Sequence, residues 1–230
     1  MKYLYLSLCL ALIACSDEPE ALKSAQGITG ELALEPVSGN VPADDYSYAE
    51  VSAVITGRRS PGDRIIFSAE SGLFANGQSK DTVVAATDET VKVYLKHNRA
   101  GRVKVTATAF GKSKEVFVDF TPAYPDLLVV NPDNGTLPSE YTSTSLITTY
   151  LIRNTGTASQ GQWISYRDSV ATAEGGSIGT FTQNTQSDAE GNATVRYWVQ
   201  DTAYHGFVYI KGEIQTPAGV RKGENRIYID

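Results

Sequence analysis

Two stretches of this 230-residue chain follow one plan. Leu32-Ala-Leu-Glu-Pro36 and then Gly39-Asn-Val-Pro42 return as Leu128-Val-Val-Asn-Pro132 and then Gly135-Thr-Leu-Pro138, each position 96 residues further on. Val51, Ala53 and Ile55 map at the same offset onto Ile147, Thr149 and Leu151. Later, Thr90-Val-Lys-Val-Tyr-Leu95 matches Thr194-Val-Arg-Tyr-Trp-Val199, and Gly101, Val103 and Val105 match Gly206, Val208 and Ile210. The copies close alike, in Glu115-Val-Phe-Val-Asp119 and Asn225-Arg-Ile-Tyr-Ile229. By then the offset has grown. The second copy therefore has the longer loops, chiefly between Thr155 and Asn192 and near Thr216 to Glu224. A repeat of this length is one structural unit used twice.

Each copy offers about seven short segments of period-two patterning, separated by Gly, Pro, Asn and Asp clusters. Val103-Lys-Val-Thr-Ala-Thr-Ala109 is the clearest: Val103, Val105, Ala107 and Ala109 share one face, Lys104, Thr106 and Thr108 the other. Strands that are apolar on one face and polar on the other fit a two-sheet sandwich better than a parallel sheet. Thirteen Tyr and 20 Gly agree with an all-β chain, and no long amphipathic helical stretch follows residue 30. The boundary between the copies is placed in Thr121-Pro-Ala-Tyr-Pro-Asp126, whose two prolines restrict bending and predict a semi-rigid rod.

The N-terminus reads as a targeting segment. Lys2 precedes the apolar run Leu4 to Ala14, which is too short for a spanning helix of roughly 20 residues and the right length for a signal peptide. It ends in Leu12-Ile13-Ala14-Cys15, which resembles the bacterial lipobox. That resemblance implies cleavage before Cys15 and lipidation of its thiol, so Cys9 leaves with the leader. Disulfides and thiolate chemistry are then excluded from the mature chain. Ser16-Asp17-Glu18 resembles an export signal for the outer face of the outer membrane, with periplasm-facing attachment as the alternative. Residues 15–27 read as the acylated cysteine and a flexible tether, with modules at 28–121 and 122–230.

Ser187-Asp-Ala-Glu-Gly-Asn-Ala-Thr-Val-Arg-Tyr-Trp-Val199, followed by Gly206-Phe-Val-Tyr-Ile210, resembles the group 1 bacterial Ig-like domain of intimin/invasin-type adhesins. The turn into an alternating strand and the later glycine-started strand carry the likeness, and Ala100-Gly-Arg-Val-Lys-Val-Thr-Ala107 repeats the second element. The first copy departs at Asp88-Glu89-Thr90, which lacks the turn glycine. The resemblance covers about 28–230 and implies two tandem Ig-like β-sandwich domains; because the second repeat runs to the last residue, no lectin-like tip domain is expected after it. It leaves function open, because such domains serve as stalks, spacers and binding heads alike.

Chemistry is sparse. His97 and His205 lie in turns of different copies without metal-ligand spacing, and no nucleophile motif such as G-x-S-x-G occurs. Asp44-Asp45 and Asp188-Ala-Glu190-Gly-Asn192 lack the full calcium-loop pattern and read as β-turns. The net charge of −6 and the absence of Lys/Arg blocks argue against nucleic acid. No cofactor, metal or catalytic site is expected.

One patch stands out. With Val195, Tyr197, Val199, Val208 and Ile210 facing inward, Arg196, Trp198, Phe207 and Tyr209 face outward. Their strands are expected to be neighbours, so these side chains form one contiguous surface able to stack on a sugar or bury against a protein. Cross-strand packing is the structural alternative. The sequence therefore predicts a non-catalytic surface lipoprotein that is held on the membrane by Cys15 and binds an unidentified protein or glycan. A passive spacer or accessory subunit of an outer-membrane complex is the second reading.

Overall fold

The computed structural model describes residues 31–36, 39–57, 62–84, 90–170, 175–183 and 185–230. The leader 1–14, Cys15 and the tether 15–27 lie outside them, as does the turn at Asp88-Glu89. The described residues form strands and no helix. In the first module these are β1 (Glu31–Pro36), β2 (Val41–Pro42), β3 (Ala49–Thr56), β4 (Arg64–Ala69), β5 (Leu73–Phe74), β6 (Lys80–Val84), β7 (Thr90–Lys96), β8 (Gly101–Ala109) and β9 (Lys112–Thr121). The second module has β10 (Leu127–Pro132), β11 (Thr136–Leu137), β12 (Thr144–Ile152), β13 (Trp163–Val170), β14 (Gly179–Phe181), β15 (Thr185–Gln186), β16 (Asn192–Val199), β17 (Gly206–Thr216) and β18 (Gly219–Ile229).

The repeat is reproduced strand for strand. The first sandwich packs sheet β1-β3-β7-β5 against sheet β2-β9-β8-β4-β6; the second packs β10-β12-β16-β14 against β11-β18-β17-β13-β15. The Pro-Gly-Pro signature sits where the first strand of each module changes sheets. β1 runs antiparallel to β3 and stops at Pro36, and β2 then joins the other sheet parallel to β9. β10 likewise ends at Pro132, and β11 pairs in parallel with β18. Proline cannot donate to a ladder, so it is placed where pairing ends. The glycines that start β8 and β17, Gly101 and Gly206, share φ = 143°, a conformation that strains any side-chain-bearing residue.

Alternation carries the cores. Val91, Val93 and Leu95 of β7 and Val103, Val105, Ala107 and Ala109 of β8 are buried in the first module. Val195, Tyr197 and Val199 of β16 and Val208 and Ile210 of β17 are their counterparts in the second. The second core is the more polar. Where the first copy has Ala53, Thr149 accepts a 2.8 Å hydrogen bond from the Tyr166 hydroxyl, whose pKa burial pushes up to about 12. Asp168 is buried too, accepting from the Ile178 N–H (2.9 Å), the Gly179 N–H (2.8 Å), the Tyr197 hydroxyl (3.1 Å) and the Ser177 hydroxyl. Burial and the adjacent Asp168 carboxylate raise the Tyr197 pKa, so this phenol stays a donor.

Candidate functional site

The expected aromatic patch is divided by the fold. Arg196 is exposed, Trp198 part-buried, Phe207 exposed and Tyr209 part-buried, all on outward faces. However, β16 belongs to one sheet and β17 to the other, so the two pairs lie on opposite sides of the sandwich. Residues 200–205 cross between sheets instead of forming a hairpin. Trp198 stands opposite Thr144 and Thr180, and Arg196 Nη1 lies 3.4 Å from Thr144 Oγ1. On the far face Phe207 packs edge-on to Tyr228 at 5.2 Å, with the Arg226 guanidinium 4.5 Å from its ring centre. Tyr209 is paired with Arg226 and Ser169. These contacts are cross-strand packing.

A concave feature lies at the joint between the modules. The β12–β13 loop spans 153–162, longer than its first-module counterpart 57–63, and it docks on the first sandwich. Thr157 N–H donates to the Asp44 carbonyl at 2.8 Å, and Gln160 N–H to the Asn98 carbonyl at 2.7 Å. The buried Ser159 hydroxyl donates to the Ala43 carbonyl and accepts from the Ala123 N–H, both at 2.7 Å. It thereby ties the first module, the connector and the second module at one oxygen. Arg153 donates to the Tyr124 carbonyl at 2.7 Å and lies 3.6 Å from the Asp44 carboxylate. The connector is thus clasped by hydrogen bonds from both sides, beyond what its prolines impose.

Beside this clasp opens a cleft of ≈450 Å³, lined from the first module and connector by Arg99, Ala100, Pro122 and Tyr124. The second module contributes Trp163, Gln160, Gln162, Gln186, Ile214 and Gln215. Trp163 is 62% exposed, opposite Gln186 in the β13–β15 pair. A second hollow of ≈260 Å³ shares Trp163 and Gln215 and continues to Ser165 and Glu213. Farther along the outward face, Arg167 and Lys222 pair with Glu213 at 2.7 and 3.5 Å, and Lys211 pairs with Glu224 at 3.4 Å. The sequence reading passed over Trp163, although Gln162-Trp163-Ile164-Ser165-Tyr166 alternates and so places the indole outward.

The remaining candidates have local roles. The Asp44 carboxylate caps its own turn, accepting from Tyr46 N–H (3.1 Å), Ser47 N–H (2.7 Å) and the Ser47 hydroxyl (3.0 Å). Asp188 does the same for Glu190 and Asn192 N–H. His97 is half-buried, edge-on to Phe120 at 5.7 Å and 3.3 Å from the Ser71 hydroxyl. Burial, and secondarily Arg99, lower its pKa against the opposing pull of Asp45. His205 is exposed on the other module.

No protein-family model matches the chain, and no curated relative does. Solved structures do. Invasin, a bacterial integrin-binding protein, superposes with a TM-score of 0.57 at 14% identity over 86% of this chain. The adhesin InvE of Yersinia pseudotuberculosis gives 0.56 at 14% identity over 87%. The fold is of the intimin/invasin Ig-like type. The chain spans 39% of the invasin structure and 58% of the InvE structure.

Proposed function

We propose that this chain is a non-catalytic surface lipoprotein whose two Ig-like modules, 28–121 and 122–230, bind a protein or a glycan. The observation that carries the reading is the cleft built from both modules around an exposed indole. An exposed Trp in a concave, amide-lined hollow is a recognition feature that a passive stalk does not need. The likeness to invasin and InvE supports the reading in that the same fold serves in an integrin-binding protein and in an adhesin. Lipidated Cys15 would hold the chain to the outer membrane, with the tether lifting the modules clear of the headgroups and towards the cell exterior. The clasped joint also suits a structural spacer, which is the second reading.

The test is made on cells that produce the full chain. Intact mass should show cleavage before Cys15 and an acylated N-terminus, and protease added outside should remove the modules. Those cells should adhere to a protein- or glycan-coated surface, whereas cells producing Cys15→Ala should not. Adherence equal to that of cells lacking the chain would leave the spacer reading.

A further inference from the structure

We propose that the groove at the inter-module joint binds a carbohydrate chain, with Trp163 as its stacking platform and a ring of glutamines as partners for sugar hydroxyls. This deepens the binding reading above and rests on it. Trp163 is 62% exposed although it stands at the wall of a hollow. The C–H face of a pyranose ring suits the electron-rich face of an indole, which attracts positively polarised groups.

The lining chemistry favours hydroxyls over other ligands. Four of the chain's eight glutamines, Gln160, Gln162, Gln186 and Gln215, converge on this cleft from three separate segments. Each amide offers two donors and an acceptor, matching hydroxyls that both donate and accept. Among the described residues no carboxylate lines the larger hollow and Arg99 is its one cation, too little charge for a phosphate backbone. Gln162 is buried and donates through Nε2 to the Ala123 carbonyl at 2.7 Å, which fixes the amide's orientation. Its Oε1 is closed off from solvent and has no hydrogen-bond partner among the described residues, so Gln162 belongs to the wall of the cleft while Gln160, Gln186 and Gln215 are the amides offered to hydroxyls.

The geometry sets the ligand's form. The hollows of ≈450 and ≈260 Å³ share Trp163 and Gln215 as lining residues, so the ring borders both. Sites of about 300–1,000 Å³ hold small-molecule-sized ligands. Two hollows bordered by one platform therefore take several linked sugars. Arg99, Ala100 and Pro122 form the far wall, so binding requires both modules in their clasped arrangement.

The experiment uses the purified full chain in detergent. The sequence has two tryptophans, so Trp198→Phe, on the opposite side of the sandwich, leaves Trp163 as the only indole. This protein is titrated with chitotetraose, cellotetraose, maltotetraose and a heparin tetrasaccharide, then applied to an immobilised glycan array. At least one saccharide should shift Trp163 emission saturably. Trp163→Ala should weaken its binding by about thirtyfold or more, as for an aromatic anchor, and Gln186→Ala by about tenfold. Circular dichroism should show both variants folded.

Absence of binding to any saccharide overturns the proposal, and so does binding that Trp163→Ala leaves unchanged. Response to decaproline but to no saccharide overturns it in favour of a peptide groove. Cells producing Trp163→Ala separate this failure from failure of the binding reading. If they adhere as the unaltered cells do, the carbohydrate groove is wrong and surface binding stands. If unaltered cells do not adhere, both fall.

Discussion

Arg153 and Asp44, on different modules, face each other across the joint with Nη2 and Oδ2 3.6 Å apart. Asp44 is 2% exposed, so its charge is kept from water and held by its turn donors and this guanidinium. Removing one member of a buried ion pair is far costlier than the pair is worth. Arg153→Ala should destabilise the chain by about 2–4 kcal/mol and separate the melting of the two modules in a calorimetric scan. An unchanged single transition would mean that this contact does not couple them.

The fragments make a related prediction. Residues 28–121 and 122–230 should each fold alone, because each carries a full set of strands. The first should nonetheless be weaker alone than within the full chain, by about 1–3 kcal/mol, since Ala43 and Asp44 carbonyls lose donors from Ser159 and Thr157. Urea titration decides it. A fragment 28–121 that never folds would displace the boundary.

Gly156 sits against Asp44 with φ = 67°, and a Cβ there would lie 2.6 Å from the Asp44 carbonyl oxygen. Gly156→Ala should push the docking loop off the first module, at a cost of about 1–3 kcal/mol. NMR relaxation should then show the modules tumbling with less correlation. Relaxation identical to that of the parent chain would show that the loop yields elsewhere.

Double-mutant cycles can test the division of the outward aromatics. Phe207 and Tyr228 touch, so their coupling should be about 0.5–1 kcal/mol. Phe207 and Trp198 lie on opposite sheets and should add independently, within about 0.5 kcal/mol. Coupling between the latter two would restore a single patch.

His97 supplies a pH dependence. Burial lowers its folded pKa below the unfolded value of 6.5, so the unfolded chain takes up the proton first as pH falls. Stability should therefore hold above the unfolded pKa and decline below about pH 6.5 down through the folded pKa. His97→Gln should flatten that part of the profile. A profile of His97→Gln with the parent's slope would assign the effect to another group.

The repeat, with its recurring prolines, and the strand parity were legible in the sequence, because each leaves a periodic or positional trace, whereas the change of sheet at those prolines was not. Tyr197 was readable as inward and Trp198 as outward from their neighbours alone. Parity reports which face a side chain takes but not which sheet its strand joins, so β16 and β17 were wrongly placed side by side. The joint left no such trace. Ser159, Arg153 and Gln162 act through a few polar contacts to residues distant in sequence. Only the extra length of the 153–162 loop hinted at them. Trp163 was readable as outward, but the hollow around it needed the docked first module.

The parallel pairing of β2 with β9, and of β11 with β18, has a mechanical consequence. When a chain is pulled from its two ends, the early strand is drawn one way and the last strand the other. Because the paired strands run in the same direction, tension slides them along one another. Their hydrogen bonds then resist together in shear, whereas a peeled hairpin gives way one bond at a time. Each module has such a latch between its beginning and its end, so tension applied to the two ends of the chain is met with both sandwiches closed.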